Sequence, residues 1–302
     1  MRIGVDLGGT KIEVAAMDPA GAIVERERIA TSGDYRGLLV ELPALINRVA
    51  GKTGAMDRPV GIGMPGSLSP LTGLVRNSNS TWLNGQPFLQ DITAALGRGV
   101  RVQNDANCFA LSEASDGAGA GGRVVFGAIL GTGCGGGVVV DGKVIEGVNG
   151  IGGEWGHTPL PWPREDELPF EKDWCGRPGC LETWIAGRAG LERWAPKILG
   201  KKMTAKEIVA AAEAGDAKAS EVLDLLYDRI ARAFAVIMDI IDPDVIVVGG
   251  GLSNVTGLYD GVRAKWGPYV FSDVIHTKLV KNKWGDSSGV RGAAWLWAEG
   301  EV

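Results

Sequence analysis

Histidine is almost absent from this chain: there are two in 302 residues, His157 and His276. That scarcity works against a Ser-His-Asp hydrolase. Cysteine is scarce too, with four residues. Four are too few to staple a chain of this length, so a reducing cytoplasm is the expected compartment. No apolar run approaches the roughly 20 residues a membrane span needs. Positive charge is not in excess either: Lys and Arg total 31 against 36 Asp and Glu, a net charge of −5. This balance argues against a nucleic-acid or anionic-membrane surface. The first strand signal begins at Arg2, so no signal peptide is expected.

What is abundant is glycine, 47 of 302 residues. The glycines cluster between β-branched runs, as where backbone is brought close to a ligand. The length allows two domains around one cleft. Residues 2–18 read as strand, glycine turn, strand. Gly8, Gly9 and Thr10 are suited to offer backbone N–H groups to a phosphate, with Lys11 nearby. Asp6 is suited to direct a carboxylate at a metal ion on that phosphate. A plain hairpin whose glycines only make the turn reads equally well. The pattern then returns. Ile3–Thr10 lies over Phe126–Gly133 (Phe-Gly-Ala-Ile-Leu-Gly-Thr-Gly), and both copies run through a second strand into a turn opened by Asp18 or Asp141. A repeat about 120 residues apart implies two domains of similar topology, each with a glycine hairpin. Two such hairpins facing one cleft would grip a triphosphate from both sides.

Between the copies, residues 36–50 have helical apolar spacing, and Val60–Met64 is a buried strand ending at Pro65-Gly66. Asn77–Gln86, with Asn79 and one Trp, is a loop of amides and hydroxyls. It suits either a polyhydroxylated ligand or its own hydrogen bonding. Gln103-Asn104-Asp105-Ala106-Asn107-Cys108 joins a strand to a helix. A lone Asp there is ordinarily an N-cap, and Asp105 also reads as a base. Further on, residues 219–241 form a long amphipathic helix stopped at Asp242-Pro243. A buried strand, Asp244–Val248, then leads to Gly249-Gly250-Gly251-Leu252-Ser253-Asn254, which suits either a nucleotide at a switch point or a simple turn. Three motif matches are decoys. Gly131–Gly136 fits GxGxxG but is followed by a Val run rather than a helix; Gly137–Lys143 lacks the Ser or Thr of a P-loop. Gly285-Asp286-Ser287-Ser288-Gly289 imitates a hydrolase elbow but precedes the final helix. His157 with Cys175 and Cys180 suggests a zinc knuckle, yet three donors fall short of a closed site.

In this order, Asp6-Leu7-Gly8-Gly9-Thr10-Lys11, Asn104-Asp105-Ala106-Asn107, Gly131-Thr132-Gly133, Glu154-Trp155-Gly156-His157, Cys175–Glu182 and Val248–Gly251 resemble the ROK family of sugar kinases. The resemblance implies an α/β, actin-like ATPase or hexokinase-like (ribonuclease H-like) fold with two similar α/β domains flanking a cleft. The expected division is a small domain over 1–115, completed by a C-terminal helix over 289–302, and a larger domain over 116–288 with a zinc-binding loop at 157–180. Asp105 would be the general base toward the sugar 6-hydroxyl. Gly66, Asn79, Asn104, Glu154, His157 and Glu182 would hold the hexose. Asp6 would help place Mg²⁺. Gly8, Gly9, Thr10, Lys11, Thr132 and Gly133 would hold the ATP phosphates, and Gly250, Gly251 and Asn254 the adenosine. The family's knuckle reads Cys-x-Cys-Gly-x-x-Gly-Cys with a His. Here the first Cys is Asp173, so a Zn²⁺ site would be His157, Asp173, Cys175 and Cys180. The run Asn77–Phe88 and the ending Gly285–Trp297 look like bacterial fructokinases of the manno(fructo)kinase type. The expectation is therefore a fructokinase acting also on mannose or glucose, and a homodimer. The alternatives are a glucokinase or an N-acetylglucosamine kinase and, more remotely, a sugar-responsive repressor. Such repressors carry a helix-turn-helix ahead of the first hairpin, which here starts at residue 2.

Overall fold

The computed structural model describes residues 1–298, 300 and 301. Its internal contacts divide the chain into two groups. The first contains residues 1–121, 137–153 and Trp284 onward; the second contains 122–136 and 154–283.

In the first group, β1 (Arg2–Leu7) and β2 (Lys11–Met17) form an antiparallel hairpin that β3 (Ile23–Ala30) extends. Parallel to β1 runs β4 (Val60–Met64). After a small hairpin of β5 (Ser67–Leu68) and β6 (Val75–Arg76), β7 (Val100–Asn104) pairs parallel with β4. The order is β3-β2-β1-β4-β7. Every residue of β4 is buried, as a central parallel strand requires, whereas the edge strand β3 alternates. Helix α1 (Tyr35–Thr53) starts where Asp34 accepts the Gly37 N–H at 2.8 Å and stops at Gly54, φ 65°. Its buried face is Leu38, Leu42, Leu45, Ile46, Val49 and Ala50; Leu39, also in the helical apolar spacing, is only half-buried. Two shorter helices follow, α2 (Phe88–Leu96) and α3 (Asp105–Ser115).

The last helix of the chain, Ser288–Trp295, lies directly on this sheet. A Cβ at Gly61 would sit 1.8 Å from the Ala293 carbonyl oxygen, and one at Gly4 would sit 2.2 Å from that of Val290. Glycine at both places is what lets helix and sheet backbones touch. The helix expected over 289–302 is shorter than that, because the helical residues end at Trp295; Glu299 and Val302 lie outside the described residues.

The second sheet is built from β8 (Val124–Leu130), β9 (Cys134–Val140), β10 (Lys143–Val144), β11 (Val245–Gly249) and β12 (Lys278–Lys281). Its order is β10-β9-β8-β11-β12, with β8, β11 and β12 parallel. Third, second, first, fourth, fifth is also the order of the first sheet. The duplication read from the two glycine hairpins is therefore a duplication of topology. Helix Ala217–Ile241 buries Val222, Leu226, Ile230, Phe234 and Met238 and ends where Asp242 turns left-handed, φ 43°, before Pro243. Among the described residues no helix is long and apolar enough to cross a membrane.

Candidate functional site

The β1–β2 turn is Gly8-Gly9-Thr10, closed by the Gly8 N–H donating to the Lys11 carbonyl at 2.9 Å. Thr31 steadies it from β3's end: its hydroxyl donates to the Gly8 carbonyl at 2.9 Å and its N–H to the Thr10 carbonyl at 3.1 Å. Gly9, Thr10 and Lys11 remain exposed. Asp6 stands just before this turn, directly across the ladder from Glu13. Burial, and then the Glu13 charge, push its carboxyl up to about 6, with Lys11 and Arg28 pulling the other way. Glu13 is itself fully buried and paired with Arg26 and Arg28. Glu13 was passed over in the sequence, although its offset across a two-strand hairpin makes it the partner of Asp6.

At the end of β7 the backbone shows which residue caps α3. Asn104, extended at φ −60° and ψ 144°, is the N-cap of α3; its Oδ1 accepts from the N–H groups of Ala106 and Asn107 at 2.9 and 3.4 Å. Its Nδ2 donates to the Gly66 carbonyl at 3.1 Å. Asp105 is not the cap. It is the first helical residue, exposed, with Oδ1 accepting the Ala106 N–H at 2.8 Å. Asn104 and Gly66 are thus joined, and Asp105 projects beside them. A helix N-terminus favours a carboxylate there.

The loop at 77–86 is held in part by its own hydrogen bonds. Ser78 and Asn84 exchange two hydrogen bonds at 2.9 Å each across the turn Thr81–Leu83, and the Ser78 hydroxyl accepts from the Ser80 N–H at 3.1 Å. Trp82 packs against the hydrophobic core. The Ser78 and Asn84 side chains thus serve the loop itself; Asn79 stays exposed.

In the second group the turn between β8 and β9 is Gly131-Thr132-Gly133, closed by the Gly131 N–H to the Gly133 carbonyl at 3.0 Å. Glu182, the first residue of helix α4 (Glu182–Ile185), is 8% exposed and lies against this turn. Its Oε2 accepts the Cys134 N–H at 2.8 Å, and a Cβ at Gly133 would come within 2.4 Å of that same oxygen. Its Oε1 accepts from Trp174 Nε1 at 2.8 Å. Gly250, φ 77°, passes so near β8 that a Cβ would meet the Leu130 carbonyl at 2.5 Å, so only glycine fits. Gly251 and Asn254 are exposed beside it. Glu154 leads into Trp155, whose ring stacks on Phe234 and whose Nε1 donates to the Gly135 carbonyl at 2.8 Å. That anchor precedes His157.

His157, Asp173, Cys175 and Cys180 gather, one donor atom from each lying within 4.8 Å of the others. The two thiol sulfurs are 3.6 Å apart, and His157 Nδ1 is 3.1 Å from Asp173 Oδ2. Those separations suit a tetrahedral ion with bonds of about 2.0–2.3 Å, so the donor set fits zinc with Asp173 as the fourth ligand. Burial pushes Asp173 up, but hydrogen bonds from Cys175 and the Trp174 N–H outweigh it and leave the carboxyl below its usual range. Burial and the neighbouring Cys175 push the Cys180 thiol up to about 12. The segment between His157 and Asp173 is pinned to the long helix: Glu167 accepts from Arg232 at 2.7 and 3.0 Å and from Arg229 at 2.8 Å. Burial opposes ionisation of Glu167, yet the two arginines hold it down to about 2.

A family model described as the ROK family matches residues 2–300. The chain is 40% identical to an N-acetyl-D-glucosamine kinase of Aliivibrio salmonicida, over 98% of this chain and 99% of that protein. A ROK hexokinase from Thermus thermophilus superposes with a TM-score of 0.86 at 31% identity, covering 97% of this chain and 96% of that one. A ROK family glucokinase from Streptomyces griseus, in complex with glucose and AMPPNP, gives 0.75 at 29% identity over 98% of each chain. These relatives do not support the fructokinase resemblance read from Asn77–Phe88 and Gly285–Trp297. A match over essentially the whole length, by family model and by sequence identity alike, leaves one assignment: the chain belongs to the ROK family.

Proposed function

We propose that the chain is an ATP-dependent N-acetyl-D-glucosamine kinase, with Asp105 accepting the proton of the sugar 6-hydroxyl as that oxygen attacks the γ-phosphorus of ATP and ADP departs. The observation that carries the substrate is the full-length similarity, at 40% identity, to an N-acetyl-D-glucosamine kinase. Phosphoryl transfer asks a protein for positioning and charge stabilisation rather than covalent chemistry. An exposed carboxylate on a helix first turn meets the need for a base, and Asn104 fixes where that turn begins. Gly66, Asn79, Asn104, Glu154, His157 and Glu182 are proposed to contact the sugar hydroxyls. Gly8, Gly9, Thr10, Lys11, Thr132 and Gly133 are proposed to hold the phosphates, and Gly250, Gly251 and Asn254 the adenosine. Mg²⁺, held with the help of Asp6, would supply charge neutralisation on the phosphates. Zinc in the His157–Asp173–Cys175–Cys180 set would be structural, fixing the His157 ring from its Nδ1 side.

The test is a coupled ADP-release assay across N-acetylglucosamine, glucose, mannose and fructose. The highest kcat/KM is expected with N-acetylglucosamine, with glucose next. A preference for fructose, or no turnover with any of the four, overturns the assignment.

A further inference from the structure

Three residues outside the proposed sugar and ATP contacts converge on the Asn104–Asp105 junction. Gln103, the residue before Asn104, is 9% exposed. Its Oε1 accepts twice, from the Asn104 N–H at 2.7 Å and from Asn107 Nδ2 at 3.0 Å. Its Nε2 donates to Glu146 Oε1 at 2.8 Å. One amide side chain therefore bridges the residue before Asp105 and the residue two after it. Glu146 holds the far end of that amide. Glu146 belongs to a closed loop: the Gly152 N–H donates to the Glu146 carbonyl at 2.8 Å, and the Ile145 N–H to the Val138 carbonyl at 2.9 Å. Arg76 ties the same loop to β6 by donating to the Asn149 carbonyl. Hydrogen bonds thus tie the loop to β9 and β6, and Glu146 is its link to the turn that carries Asp105.

An amide side chain can rotate about its last bond, and exchanging O for N would turn two accepted bonds into clashes of donors. The Asn104 N–H requires Gln103 Oε1 on its side, and the carboxylate of Glu146, which accepts only, holds the outward Nε2 and so fixes where the amide lies. We propose that Glu146 is a positioning residue: through Gln103 it locks the first turn of α3 and thereby the direction of the Asp105 carboxylate. The proposal rests on the reading of Asp105 as the base.

Glu146 is exposed, so Glu146→Ala is expected to fold and melt within a few degrees of wild type. Its kcat is expected to fall about tenfold, within what a sub-ångström misplacement of a catalytic group costs, while KM for ATP stays within twofold. Glu146→Gln keeps an oxygen acceptor and is expected to recover kcat to within twofold. A wild-type kcat in Glu146→Ala overturns the proposal, and so does a Glu146→Gln variant no better than the alanine. Amide hydrogen exchange in the ligand-free protein tests the lock without turnover: residues 104–107 are expected to exchange at least fivefold faster in Glu146→Ala. Unchanged exchange there overturns the lock. A wild-type chain with no kinase activity but faster exchange in the variant would instead remove the assignment of Asp105 as base and, with it, the catalytic half of the proposal.

Discussion

Asp105 and Asp6 both stand near the end of a strand, and their surroundings differ. Asp105 is exposed on the first turn of α3. Asp105→Asn is expected to lower kcat at least about 100-fold, the lower range for a positioned base, with an unchanged melting temperature; the ADP-release assay and a thermal melt read the two. Asp6 is half-buried across from Glu13, and burial together with the Glu13 charge pushes its carboxyl up to about 6. A raised folded-state pKa adds stability that is complete below the unfolded value of 3.8 and is lost as pH rises through about 6. At pH 8 the ionised group therefore weakens the fold, by something on the order of 3 kcal/mol for a shift of about two units. Asp6→Asn is expected to raise the melting temperature at pH 8, leave it unchanged at pH 4, and abolish Mg²⁺-dependent turnover. Melts at the two pH values check the sign.

At the scale of elements, the start of α3 links stability to chemistry. Asn104→Ala removes the cap, a loss of about 1 kcal/mol, and also frees the Gly66 carbonyl. Asn104→Asp keeps the capping acceptor but not the donor to Gly66. The alanine variant is expected to lose both melting temperature and kcat, the aspartate variant mainly kcat, and paired melts and kinetics separate them. The glycine hairpins, α1 and the long helix were legible because their signals are local: β-branched runs around Gly turns, and apolar residues at helical spacing. The cap was not legible, because Asn104 and Asp105 are both good caps and only the extended backbone at Asn104 chooses. Nor was the inward use of the 77–86 amides, since the sequence does not say that Ser78 bonds Asn84 rather than a ligand. Glu182 stands out by its motif, but its seat against the second hairpin depends on Cys134, 48 residues away.

Across the whole molecule, one strand order serves twice, and each copy turns a glycine hairpin at the same place in its sheet. The four-donor cluster lies in the second group. Purified protein is expected to hold about one zinc per chain by metal analysis. Chelation is expected to lower the melting temperature, because a ligand bound only by the folded chain stabilises it by mass action. A metal-free preparation with an unchanged melt on chelation would sink the zinc assignment. The same cluster has an optical consequence. Trp174 is 64% exposed, donates its indole N–H to Glu182, and sets its ring edge-on to His157 with centroids 5.4 Å apart. One fluorophore thus touches a donor of the cluster and a carboxylate proposed to hold the sugar, while Trp155 lies buried beneath. The chain carries its own reporter: sugar or zinc is expected to shift the quencher-accessible emission in wild type and not in Trp174→Phe, so occupancy can be followed by light before any phosphate has moved.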